Sequence, residues 1–177
     1  VGSKEKINFD TKSGILTAEK NGSWIELNFP AEIEEKTDIP KNLNKALGEI
    51  KIVYIGKNRM DYLLEVESEE IVKNLEPDFD LLKEIDTRGI IVTAKSASDK
   101  YDFVSRFFAP NIGIAEDPVT GSAHCCLGPY WSKKLNKNSL TGFQASKRSG
   151  TVRVDIDGSR INLLGKAATV FRGKLLA

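Results

Sequence analysis

One histidine, one methionine and two cysteines are all that 177 residues offer of these three types. The scarcity closes off several chemistries. Cys125 and Cys126 are adjacent, a spacing poorly suited to an unstrained disulfide, so both are expected as free thiols in a reducing, cytoplasmic setting. Three contiguous residues, His124 to Cys126, cannot converge on one zinc ion with the usual ligand spacings, and no metal is expected. No apolar stretch is long enough to cross a bilayer, so no membrane partner is expected. Glycine spacings of the dinucleotide or Walker type are missing, as is a nucleophile-elbow sequence. A net charge of +1 argues against a nucleic-acid partner. The pairs Lys133-Lys134 and Lys147-Arg148 read as solvated surface. There is no internal repeat, no low-complexity tract and no βαβ alternation.

What is present is an ordinary globular composition, 40% hydrophobic and 29% charged, long enough for one compact domain or one domain and part of another. Short strands dominate. In 24–29, Ile25, Leu27 and Phe29 alternate onto one face, and Asn21-Gly22 suits a tight hairpin turn from 15–18. A second hairpin joins 152–156 to 161–163 through Asp157-Gly158. Further strands are expected at 50–55, 61–66, 89–93, 102–108, 143–146 and 169–172. Short helices are expected at 40–47, 68–74 and 78–85, the first two exposed. The pattern predicts an α+β fold with a curved, mostly antiparallel, barrel-like sheet.

One stretch stands apart: EDPVTGSAHCCLGPYWSKKL, residues 116–135. From Gly121 to Trp131 apolar side chains fall on nearly every side of a helix, so it must be surrounded, and in a strand-rich chain the surround is a sheet. Pro129 should kink or break that helix, with Gly128 easing the fit. At its start Asp117 is a capping residue type and Pro118 suits the first helical position. The same geometry would also favour an anion, because small residues at Gly121-Ser122 leave the first backbone N–H groups open. On spacing alone the cap is the commoner outcome. A thiol–imidazole dyad is disfavoured, since consecutive helical side chains diverge by about 100°. The cysteines read as small core residues, and His124 as a cavity or core group.

FAPNIGIAEDPVTGSAH, then GPYWSKKL, FQASKRSGTV and GKAATVFRGKL, resemble the C-terminal half of the phenazine-biosynthesis PhzF-like proteins. The similarity extends from about SGILTAEKNG to the C-terminus. The resemblance implies a diaminopimelate-epimerase-like fold, in which each of two domains wraps a curved antiparallel sheet around a central buried helix. It implies an isomerase or epimerase that moves a proton on a small carboxylate-bearing metabolite without a cofactor, in a cleft at the helix N-termini. It also implies a homodimer. Carried onto this chain, Asp117 is the catalytic position, and Thr120, Gly121 and Ser122 hold the substrate.

The departures carry expectations too. The family's principal acid/base is a Glu in the N-terminal half, helped by a His in a Gly-His-Ala-Thr segment, and neither segment occurs here. Residues 30–165 then read as the C-terminal domain, with 1–29 and 166–177 as edge strands of a mostly absent N-terminal domain. The chain opens on Val1, and such a fragment would be catalytically silent alone. Where members often carry Arg-Gly-Gly, this chain has Arg148-Ser149-Gly150. Racemases of the fold place Cys at the helix start, where Asp117 stands here, so two-thiol racemisation is not expected. The alternative to an isomerase is a non-catalytic binding or interaction protein that keeps the fold.

Overall fold

The computed structural model describes residues 6–12, 14–171 and 173. Eleven strands run in chain order: β1 Ile7–Thr11, β2 Gly14–Asn21, β3 Trp24–Pro30, β4 Glu35–Lys36, β5 Ile52–Lys57, β6 Asp61–Val66, β7 Gly89–Lys95, β8 Phe103–Phe108, β9 Ser139–Gln144, β10 Gly150–Asp157 and β11 Arg160–Gly165. Four helices accompany them: α1 Leu43–Ala46, α2 Glu69–Lys73, α3 Phe79–Lys83 and α4 Gly121–Leu135. The strands form one sheet in the order β1-β2-β3-β11-β10-β9-β8-β7-β6-β5-β4. Neighbours are antiparallel except the β6/β7 and β8/β9 pairs. The α+β, mostly antiparallel expectation is met. The barrel-like closure is not, because β1 and β4 remain the two unpaired ends of a curled but open sheet.

Strands β6 to β8 are buried on both faces, which explains why their sequences are near-continuous apolar runs rather than clean alternations. On one face Leu63, Ile91, Phe103 and Phe107 pack against α4. On the other Leu64, Ile90, Val92, Val104 and Phe108 pack against α1 to α3. The short helices are therefore not exposed decorations. Leu43, Ala46, Val72 and Leu82 are buried beneath them and form a second core. Their brevity had hidden one apolar stripe each.

Helix α4 fills the first core as expected from its circumference. Every residue from Ala123 to Gly128 is buried, as are Tyr130 and Trp131. Its polar tips find partners: the Trp131 indole N–H donates to Thr93 at 3.0 Å, and the Tyr130 hydroxyl donates to Glu65 at 2.5 Å, with Lys134 paired to the same carboxylate. Pro129 does not break the helix, which runs unbroken to Leu135 and stops at Asn136 in a left-handed cap. Gly128 instead serves β10, since a Cβ there would lie 2.8 Å from Val154 Cγ1. The glycine lets strand and helix close up.

Two strand expectations need correction. The strand expected at 143–146 is β9, Ser139–Gln144, which starts earlier and carries Gly142 close against the Phe103 ring. The strand expected at 169–172 is absent from residues 169–171, and Arg172 lies outside the described residues. Within the stretch 1–29 expected at another domain's edge, β1 to β3 join this sheet through the β3–β11 pairing, with Leu27 opposite Leu163 and Phe29 opposite Ile161.

Candidate functional site

The turn from β8 into α4 is built by hydrogen bonds from both neighbouring strands. Asp117 N–H donates to Phe107 O at 3.1 Å, and Ser146 Oγ donates to Pro118 O at 2.8 Å. Gln144 is fully buried and clamps the turn at three points. Its Oε1 accepts from Thr120 N–H at 2.8 Å, while its Nε2 donates to Asp117 O at 2.6 Å and approaches Thr120 Oγ1 at 3.1 Å. Glu116 is held by a two-point pair with Arg106, at 2.6 and 3.0 Å. The turn is thus fixed by groups distant in sequence.

This arrangement changes the expected cap. Asp117 does not cap α4 and Pro118 does not open it: the N-cap is Thr120, with no side-chain bond to the helix, and the first helical residue is Gly121. Asp117 Oδ2 instead accepts from Thr120 Oγ1 at 2.7 Å, so the carboxylate sits beside the helix start rather than over it. The first turn of α4 contains no acidic residue. No side chain within the first turn neutralises the positive end of this 15-residue helix, whose N–H groups have the polarity that favours an anion, although the Asp117 carboxylate is held at the N-cap by Thr120. Gly121 is exposed, and a Cβ there would touch only Leu163 Cδ1, at 3.8 Å.

Ser122 is placed by a residue that sequence reasoning did not select. Arg88 makes a two-point pair with the fully buried Asp61, with Nε to Oδ1 at 2.8 Å, and its Nη2 donates to Ser122 Oγ at 3.1 Å. Ser122 Oγ is therefore an acceptor toward Arg88, which leaves its own proton to donate elsewhere. The structure brings Asp117 to Thr120, with Gly121 and Ser122 following directly as the first two helical residues and Ser122 held by Arg88. Gln144 and Arg88 carried no local signal, because their partners lie 24 and 34 residues away.

His124 and the cysteines are sealed in the core. His124 Nδ1 lies 2.7 Å from Thr120 O, fixing that nitrogen as the donor, and Nε2 has no hydrogen-bond partner among the described residues. Burial pushes its pKa down to about 4, partly opposed by the bond to Thr120. Burial likewise pushes both the Cys125 and Cys126 thiols up to about 12, which makes poor nucleophiles. Among the described residues no group of three His, Cys, Asp or Glu side chains could hold a metal, and no helix is long and apolar enough to cross a membrane.

Against this geometry stand the relatives. The sequence model of the phenazine biosynthesis-like protein family (PhzC-PhzF) matches residues 1–173. An uncharacterized isomerase of Halalkalibacterium halodurans is 55% identical over 99% of this chain and 66% of its own length. Phenazine biosynthesis-like domain-containing protein 2 of Mus musculus is 35% identical over 97% of this chain and 65% of its own. A PhzF-family crystal structure from Enterococcus faecalis superposes with a TM-score of 0.89 at 36% identity, covering 100% of this chain and 66% of that one. A putative PhzC/PhzF protein from Clostridium difficile gives 0.85 at 34%, covering 98% and 66%. The expectation of a bare C-terminal half is corrected here: the match runs from end to end of this chain, and the chain spans just under two thirds of the relatives' length. With sequence and backbone in agreement along its length, the chain belongs to the phenazine biosynthesis-like (PhzC-PhzF) protein family.

Proposed function

We propose that this protein is an isomerase or epimerase that moves a proton on a small carboxylate-bearing metabolite without a cofactor, on the diaminopimelate-epimerase-like variant of the fold. Residues 30–165 form the unit that carries the site, and 1–29 and 166–177 flank it. The observation that carries the reading is the open N-terminus of α4 with the Asp117 carboxylate beside it. The isomerase name borne by the bacterial relative supports the reaction class.

The chemistry follows from the placement. The substrate carboxylate is received by the N–H groups at Gly121 and Ser122 and by the Ser122 hydroxyl, whose proton is freed by the Arg88 bond. Thr120 is a positioning residue, since its hydroxyl and N–H are engaged by Asp117 and Gln144. Asp117 meets the substrate next to that carboxylate and orients it or exchanges its proton. The active assembly is a homodimer.

A titration of the chain with a cyclohexadiene carboxylic acid checks the binding half. Saturable shifts of the Gly121 and Ser122 amide resonances are expected, and their absence would remove the carboxylate site. Solvent-deuterium incorporation into that acid checks the chemistry, and Asp117→Asn is expected to abolish it. Unchanged incorporation removes Asp117 from the mechanism. One observation favours the alternative of a binding protein without turnover: the hydrogen bonds of Asp117, Thr120 and Gln144 satisfy one another. Amide shifts without deuterium incorporation would select that alternative.

A further inference from the structure

A large cavity lies away from the α4 core, on the outer face of β9, β10 and β11. It measures about 870 Å³ and shares only Val119 with the 117–122 turn. Four cations line it: Lys100, Arg148, Arg153 and Lys166. Among the described residues no carboxylate does. The acids around it are outside its wall: Asp102 accepts from the Thr141 N–H and is paired with Lys137, and Glu26 on β3 and Asp155 on β10 do not line it.

This concentration is unusual for a chain of net charge +1. Elsewhere eight lysines and arginines make ion pairs, whereas none of the four groove cations does so among the described residues. Two of them crowd one ring, with the Arg153 guanidinium 4.4 Å and the Lys166 ammonium 4.9 Å from the centre of Trp24. At the other end Tyr101 stacks on Phe143 at 4.9 Å, with the Lys100 ammonium 5.1 Å from its ring. Like charges gathered in one groove, two of them over the Trp24 ring, repel one another and focus a positive field on the cavity, a cost that a bound anion removes.

We propose that this groove binds a small molecule joining a planar ring to phosphate, the chemistry of a nucleotide. Four positive charges exceed what a single carboxylate balances, and two arginine forks match phosphate oxygens pairwise. The volume is too large for an inorganic anion alone, and a planar ring can stack on Trp24 in place of one of its two cations as these turn to the phosphate. The site is distinct from the proton-transfer site and does not depend on that reading.

The test is a titration of the chain with ADP, read from its two tryptophan indole resonances. Trp24 lines the groove, while Trp131 is buried in the α4 core and reports on folding. The expected result is a saturable shift of Trp24 alone. Combined Arg148→Ala and Arg153→Ala substitution should weaken it about tenfold or more with Trp131 unmoved, and adenosine or pyrophosphate should each bind about tenfold more weakly than ADP. The proposal is overturned by no saturable Trp24 shift, by an affinity indifferent to the two substitutions, or by pyrophosphate binding as well as ADP.

Discussion

The two ends of the sheet are made of similar strands and meet different fates. Ile161 and Leu163 on β11 are 0% and 3% exposed beneath α4. Their in-register continuation across β3, β2 and β1 is also apolar, through Leu27, Ala18 and Ile7, with Phe9 and Ile25 on the same face. Yet Ile7, Phe9 and Ile25 are 53%, 48% and 40% exposed. Alternation places a side chain on a face, but burial needs a second layer over that face. Over β6 to β11 that layer is α4, and on the opposite side of β6 to β8 it is α1 to α3. Among the described residues that layer reaches β3 only at its end, where Phe29 packs against the α4 core, and it does not extend over Ile7, Phe9 or Ile25.

The contrast can be broken most severely at the helix-filled end. Arg88→Met leaves the fully buried Asp61 carboxylate without its cation and should cost about 3–5 kcal/mol in urea unfolding. A loss no larger than that of a surface substitution would show that the pair does not anchor this end. A smaller effect comes through pH. The folded state holds His124 near a pKa of about 4, below its ordinary 6.5, so the unfolded chain binds the proton more readily. Stability should therefore be flat above about pH 6.5 and fall as pH drops toward about 4, by roughly 2 kcal/mol at pH 5. Removing this slope with His124→Gln checks the assignment. The smallest effect belongs to the uncovered end, where Phe9→Ser should change stability by less than about 0.5 kcal/mol. A loss near that of a core phenylalanine would mean that this face is covered in solution.

Much of the architecture was legible in local pattern. Asn21-Gly22 and Asp157-Gly158 turned the two expected hairpins, with Gly22 and Gly158 at positive φ, because few other residues accept that backbone cheaply. The circumference of α4 announced a surrounded helix, since no polar stripe was left to face water. Local pattern misled where a residue serves a distant neighbour. Pro118 looked like a helix start and precedes one, because Gln144 and Ser146 hold the turn ahead of α4.

The candidate site was legible in part. Asp117, Thr120, Gly121 and Ser122 announced themselves as small and polar types ahead of an apolar run, and the structure does place them at the start of α4. The roles of Gln144 and Arg88 were not legible, because isolated polar residues in a strand and a turn look like any solvated pair until the fold brings them across.

Sequence alone therefore determined the two hairpins, the central strands β5 to β8 and the one helix that had to be enclosed, because those follow from side-chain period and backbone freedom over a few residues. Tertiary structure alone decided that the sheet stays open, that the short helices build a second core, and that Asp117 sits beside the helix start instead of capping it. It also gathered four unpaired cations from three stretches of chain into one groove. Each of these depends on contacts between residues far apart in the chain, whose energies no local window contains.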